Sequence, residues 1–191
     1  MKIGLLGGSF DPLHNGHLAL AETAAKALEL DKVLFLPSGN HPLKKEKNVL
    51  PAEKRFELVE KALQNYPNFE VSRLDMEQEG FSYSSELIKR LKDISPENDF
   101  FFITGDDIIA ELPNWHEWEW LLQNVQFVVA RRPDTDRDKW QHLDYLEYFI
   151  FIDMKPHDIS STEIRKKVKN KESIKGLVPE SIEQEIKDLY R

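Results

Sequence analysis

Two histidines three residues apart, His14 and His17, close the run Gly7-Gly8-Ser9-Phe10-Asp11-Pro12-Leu13-His14-Asn15-Gly16-His17, where a glycine turn meets an amphipathic segment. At that spacing both imidazoles lie on one side of a first helical turn. Two ring donors beside the amides of a helix N-terminus can hold a polyphosphate, and Gly16 leaves a ligand room to approach. Two other readings use the same residues. A metal pair needs a third ligand, and no further histidine or carboxylate stands at ligand spacing nearby. A plain helix cap would leave the histidines as surface residues of a turn. The glycines alone decide little. Gly7-Gly8-Ser9 has neither the Gly-x-Gly-x-x-Gly spacing of a dinucleotide fingerprint nor the Gly-Lys-Ser/Thr of a Walker loop.

The turn is positioned by what flanks it. Ile3 to Leu6 reads as a buried strand, and Leu18, Leu20, Ala21, Ala24, Ala25 and Leu28 form one broad apolar helical face. Five more short apolar runs follow: Val33 to Leu36, Phe69 to Val71, Phe100 to Thr104, Gln126 to Ala130 and Phe149 to Ile152. Helical periodicity lies between most of them, as in Phe56, Val59 and Leu63 after Pro51, or Leu87, Ile88 and Leu91 within Tyr83 to Leu91. Alternating strands and helices predict an α/β fold, a mostly parallel sheet with helices on both faces. A small helical C-terminal piece, about 159–191, is expected to pack on a single domain spanning 1–191. Within it a hydroxyl of Ser160-Ser161-Thr162-Glu163 can cap a helix, and Pro179 precedes another with Ile182, Ile186 and Leu189 on one face. Pro133 to Asp138 is a polar surface connection.

In open parallel sheets ligands bind beyond the carboxyl ends of the strands. Four polar segments would meet there: the histidine turn, Pro37 to Lys44, Gly105-Asp106-Asp107, and Ile159 to Arg165.

Composition bounds the partners. The 191 residues carry 26 basic and 34 acidic side chains, a net charge of −8, so long-range electrostatics disfavour nucleic acid and anionic membranes. A small anion held by a few local donors is compatible with that sign. Cysteine is absent, which removes disulfides, thiolate catalysis and cysteine zinc sites. With no bilayer-length apolar stretch and no signal-peptide pattern, a cytoplasmic protein is expected, and homo-oligomer formation stays open.

Gly8 to His17 resembles the Gly-x-Phe-x-Pro-x-His-x-Gly-His signature of the nucleotidyltransferase superfamily, and Ile159-Ser160-Ser161-Thr162-Glu163-Ile164-Arg165 resembles its Ile-Ser-Ser-Thr-x-Ile-Arg signature. Between them, Phe81-Ser82-Tyr83-Ser84, Phe101 to Asp107 and Leu112-Pro113-Asn114-Trp115 resemble the middle motifs of the bacterial nicotinate mononucleotide adenylyltransferases. The resemblance covers nearly the whole chain. It implies a Rossmann-like fold and direct, in-line transfer of AMP from ATP to nicotinate mononucleotide, giving deamido-NAD and pyrophosphate in NAD synthesis. It further implies Mg²⁺ carried mainly by the ATP phosphates, with no dedicated protein metal site.

Carried over by motif, His14 and His17 face the α- and β-phosphates, while Lys44 and Arg165 meet the charge building on the leaving group. The ATP side takes Gly7, Gly8, Ser9, Phe10, Gly16, Gly105, Asp107, Ile159, Ser161 and Thr162. The mononucleotide side takes Asn40, Ser84, Ser85 and Trp115, the indole stacking on the electron-poor pyridine. Two motifs depart from the family pattern. Asn40-His41-Pro42-Leu43-Lys44 replaces Pro-Pro-His-Lys, so Lys44 carries over and the preceding histidine role does not. Gly105-Asp106-Asp107 replaces Gly-Ala-Asp, and the aspartate role goes to Asp107. Trp118 and Trp120 read as helix packing, and His41, His116, His142 and His157 form no constellation.

Other functions remain as alternatives. A phosphopantetheine adenylyltransferase shares the first signature but lacks a Trp115 segment. A non-catalytic nucleotide-binding protein would not need four phosphate donors. RNA binding, suggested by a distant likeness to class I aminoacyl-tRNA synthetases, has against it an acidic, small chain.

Overall fold

Strand alternation divides the core in two. Ile3, Leu5, Leu34, Leu36, Phe100, Phe102, Phe127 and Val129 point to one face of a sheet, and Leu6, Val33, Phe35, Phe101, Ile103, Val128 and Ala130 to the other. The computed structural model describes residues 1–39, 49–78, 80–131, 140, 142–155 and 158–191. Its six strands are β1 (Lys2–Gly8), β2 (Lys32–Pro37), β3 (Phe69–Val71), β4 (Asp99–Gly105), β5 (Gln126–Arg131) and β6 (Phe149–Asp153). All six expected runs are strands. They form one sheet in the order β3-β2-β1-β4-β5-β6, and every neighbouring pair is parallel.

Helices α1 (Asn15–Leu28), α2 (Ala52–Leu63), α3 (Ser84–Ile94), α4 (Ile108–Glu111), α5 (Trp118–Asn124), α6 (Ser161–Lys169) and α7 (Glu180–Leu189) cover both faces. Leu18, Ala21 and Ala24 of α1, Leu58, Val59 and Ala62 of α2, Ile164 and Val168 of α6, and Ile182 and Ile186 of α7 share one core. The opposite core holds Leu87, Ile88 and Leu91 of α3, Ile108 and Ile109 of α4, and Leu121 and Leu122 of α5. The C-terminal helices therefore share their hydrophobic core with the first helix and the sheet.

The order reverses at β1, with β2 on one side and β4 on the other. Chain connections leave the sheet in opposite directions at such a point, and a crevice opens beyond its strand ends. Gly7 and Gly8 end β1, and Gly105 ends β4.

Candidate active site

The histidine turn is held in a conformation that its own sequence does not favour. Phe10 has φ of +46°, uncommon for a bulky residue, and its ring is buried between Phe35 and His17. That burial stabilises the turn, so Phe10 serves the site through packing: its ring meets the His17 ring edge-on at 5.1 Å. His14 is the N-cap of α1, and its backbone N–H donates to His17 Nδ1 at 3.2 Å. In the neutral ring this acceptor role puts the His17 proton on Nε2, leaving that nitrogen a donor. The two rings stack with centroids 3.6 Å apart.

Burial pushes the His14 imidazole down to about 4, from an ordinary value of 6.5. It is therefore neutral at physiological pH, as close stacking on a second imidazole requires. Its Nδ1 is buried with no hydrogen-bond partner among the described residues. Not every amide of the helix start is open, because Asn15 N–H donates to Leu177 O at 2.9 Å. The Asn15 side chain also donates to Gly176 O at 2.8 Å, so the loop before α7 braces the turn.

A buried arginine supports the turn from below. Arg55 of α2 is 3% exposed and donates to three carbonyls: Leu50 O at 3.0 Å, Ser9 O at 2.5 Å and Ser38 O at 2.7 Å. One guanidinium thus ties the histidine turn to the end of β2 and the entry to α2. From the other side, the helix that bears Arg165 is fastened to the same turn. Ser160 caps α6 by accepting from Glu163 N–H at 3.2 Å, as its sequence predicts. Ser161 Oγ donates to Pro12 O at 2.9 Å, and Arg165 Nη1 donates to Asp11 O at 2.7 Å. The two signature segments meet across 149 to 154 residues of chain. Thr162 Oγ1 lies 3.3 Å from Arg165 Nη2, and Ile159 packs against the core.

A cleft of about 760 Å³ opens at the strand ends, lined by Gly7, Gly8, Leu36, Asp75, Ser82, Ser84, Leu87, Phe102, Thr104, Asp107, Ile108, Glu111, Asn114 and Trp115. Trp115 follows a 3₁₀ turn, Leu112–Asn114, and meets the edge of Phe102 at 5.8 Å. Ser84 and Asp107 line the cleft. Asp107 makes no side-chain capping bond to α4, and a Cβ on Gly105 would come within 2.9 Å of its carboxylate, so glycine there lets the side chain fold close. Trp118 and Trp120 pack against the core, as their helical setting predicts.

Ser85 lies elsewhere. It is fully buried, and its hydroxyl is 3.0 Å from His116 Nδ1, whose ring stacks on Tyr83 at 4.5 Å. His116 thereby clamps the start of α3 to the Trp115 segment, a role that spacing along the chain does not reveal. Asp75 is a second unforeseen residue. It faces the cleft although buried, accepts from Gln78 Nε2 at 2.8 Å, and has its carboxyl pushed up by burial against the pull of Ser82, the Gly39 amide, Arg55 and Arg90. Asn40 and Lys44, with His41 and His157, lie outside the described residues.

The cleft wall carries the carboxylates of Asp75, Asp107 and Glu111, which among the described residues form no group of three close enough to share one ion. Among the described residues one group of three potential ligands clusters, Glu86, His116 and Glu117, all exposed. Lys89 Nζ already sits 3.0 Å from Glu86 and 2.6 Å from Glu117, so an ammonium occupies that cluster. The donors at the turn suit phosphate oxygens.

Residues 5–167 match the model of the cytidylyltransferase-like family. Relatives named as probable nicotinate-nucleotide adenylyltransferases align over nearly the whole chain. That of Desulfitobacterium hafniense is 37% identical, covering 100% of this chain and 96% of the relative. That of Clostridium novyi is 40% identical, covering 94% and 92%. The chain belongs to the nicotinate-nucleotide adenylyltransferase family. Among solved structures, the nicotinic acid mononucleotide adenylyltransferase of Plasmodium falciparum, complexed with NaAD, superposes on this family member with a TM-score of 0.79. It is 22% identical over 99% of this chain and 97% of its own, a likeness of fold. The same enzyme complexed with APC gives 0.77 at 21% identity, covering 99% and 96%. Among the described residues, no helix is long and apolar enough to cross a membrane.

Proposed function

We propose that this chain transfers AMP from ATP to nicotinate mononucleotide, forming nicotinate adenine dinucleotide and releasing pyrophosphate. One observation carries the reading: a single cleft begins at Gly7 and Gly8 of the histidine turn and reaches Ser84 and Trp115 at its other wall. The glycine end and the aromatic end thereby border one opening of about 760 Å³. The 5′-phosphate oxygen of the mononucleotide attacks the α-phosphorus of ATP, the new P–O bond forms, and the bond to the β-phosphate oxygen breaks. The attacking phosphate is already ionised at neutral pH, so no general base is required. The obstacle is repulsion between anions. Donors fixed before the substrates arrive lower it, because they strengthen as charge moves to the leaving group.

His17 and His14 supply ring donors at the turn, and Arg165, fastened to Asp11 O, brings a fixed positive charge beside it. Lys44 joins them by motif. Gly7, Gly8, Ser9, Gly16, Gly105, Asp107, Ser161 and Thr162 border the nucleotide, with Phe10 and Ile159 packing behind. A magnesium ion accompanying ATP would supply charge neutralisation at the phosphates. Trp115 stacks on the pyridine, and Ser84 and Asn40 hold its carboxylate by neutral donors. Ser85 supports them through His116.

The two ends separate kinetically. Replacing His17 by alanine should lower kcat by about a hundredfold with little change in either KM, the size seen when one donor to a developing charge is lost. Trp115→Ala should instead raise the KM for nicotinate mononucleotide about tenfold and leave the KM for ATP unchanged, a stacking effect. Equal effects of Trp115→Ala on both substrates would remove the assignment of the two ends.

A further inference from the structure

Tyr190, the next-to-last residue, is buried at the end of α7, and its hydroxyl donates to Asp11 Oδ1 at 2.6 Å. Leu50 N–H donates to the same oxygen at 3.1 Å. The other oxygen, Oδ2, has no hydrogen bond among the described residues and faces Arg165 Nη1 at 3.5 Å. Asp11 is 1% exposed, so this is a carboxylate out of water with its two oxygens held in different ways. Arg55, the nearby second cation, gives a hydrogen bond from each of its three nitrogens to a carbonyl. We propose that Tyr190 is a positioning residue for the transfer: by occupying Asp11 Oδ1 it limits the carboxylate to a loose ion pair with Arg165, leaving the guanidinium aimed at the phosphates.

The physical reason lies in the difference between the two oxygens. A buried carboxylate left short of donors takes them from the nearest source. Without the tyrosine hydroxyl that source is the Arg165 fork, already bonded to the Asp11 backbone carbonyl. A bidentate pair would then draw the guanidinium into the protein and away from the cleft. Burial and the neighbouring Asp11 carboxylate both push the phenol's pKa well above its ordinary value, so Tyr190 is a neutral O–H donor at physiological pH. The rest of α7 is held by Ile182 and Ile186 in the core, at the same helical spacing, and by Glu185 paired with Lys54 and Lys61 of α2. The hydroxyl is the part of Tyr190 that reaches the site.

This inference rests on Arg165 acting in the proposed transfer, and the test separates the two. Tyr190→Phe keeps the ring and removes the donor. It should lower kcat about tenfold while the KM for nicotinate mononucleotide stays within about twofold. In an Arg165→Ala background the same change should alter kcat by less than about twofold, because both act through one group. Wild-type kinetics in a folded Tyr190→Phe protein overturn the proposal, as does an equal loss in both backgrounds, which would mark a general structural effect. Wild-type turnover of Arg165→Ala itself would overturn the role of Arg165 beneath it. Should Tyr190→Phe fail to fold alone, the double variant with Asp11→Asn, which removes the carboxylate that would capture Arg165, takes its place: its kcat should match that of Asp11→Asn alone within about twofold, and a further tenfold loss overturns the proposal.

Discussion

His14 is neutral at physiological pH because its ring is buried and stacked on that of His17. His14 has little water to solvate a positive charge, and His17 already receives the His14 amide on Nδ1. The consequence for stability has a definite sign. A histidine whose value falls from 6.5 unfolded to about 4 folded costs nothing above pH 6.5, where both states are neutral. Below that the unfolded chain gains a proton first, so stability is lost as pH falls from 6.5 through 4, by on the order of 3 kcal/mol. Urea unfolding of wild type and His14→Asn should therefore diverge in pH dependence over that window, the wild type falling more steeply. Parallel curves would show that His14 ionises freely. The two histidines were legible in the sequence, but their supports were less so. Arg55 sits among Glu53, Lys54 and Glu57 and looks like surface, although it is four residues before Val59 on the buried face. Tyr190 likewise continues the spacing of Ile182 and Ile186, a signal of burial that says nothing of its partner. Asp11 lies inside the signature, yet its link to Tyr190 spans 179 residues and exists only in the fold.

At the level of elements, α6 is the piece that turns a cap into a site. Ser160 satisfies the Glu163 amide, Ser161 fixes the helix to Pro12, and Arg165 follows one turn later. Ser160→Ala should cost about 1 kcal/mol of stability, measured by chemical denaturation, through the loss of the N-cap alone. A loss below a few tenths would mean that the bond to Pro12 does the anchoring. The capping reading and the functional reading of Ile159 to Arg165 are thus compatible, since the cap residue and the charge carrier are different side chains. Strand positions were legible because parallel strands buried on both faces read as short apolar runs. The clamp of Ser85, His116 and Tyr83 was not. It joins α3 to the residues after a 3₁₀ turn, and a half-exposed histidine carries no periodic signal. That clamp accounts for Ser84 facing the cleft while Ser85 faces inward.

Over the whole molecule, sheet order does what local sequence could not state. The alternation of strands and helices predicts a parallel sheet, but only the observed order puts β1 at the reversal and so places the glycines, Asp107 and Trp115 around one opening. An overall charge of −8 is compatible with an anionic substrate because the cations are local: Arg55, buried under the turn, and Arg165, partly buried beside it. The C-terminal helices close the assembly by sharing a core with α1 and sending Tyr190 back to Asp11. The central claim is that one cleft joins ATP to a pyridine mononucleotide. It is tested most directly by incubating the purified chain with ATP, Mg²⁺ and either nicotinate or nicotinamide mononucleotide, and measuring pyrophosphate and dinucleotide together. Equal amounts of pyrophosphate and nicotinate adenine dinucleotide, with the amide a poorer acceptor, are the result predicted here. Absence of dinucleotide with both acceptors would contradict it.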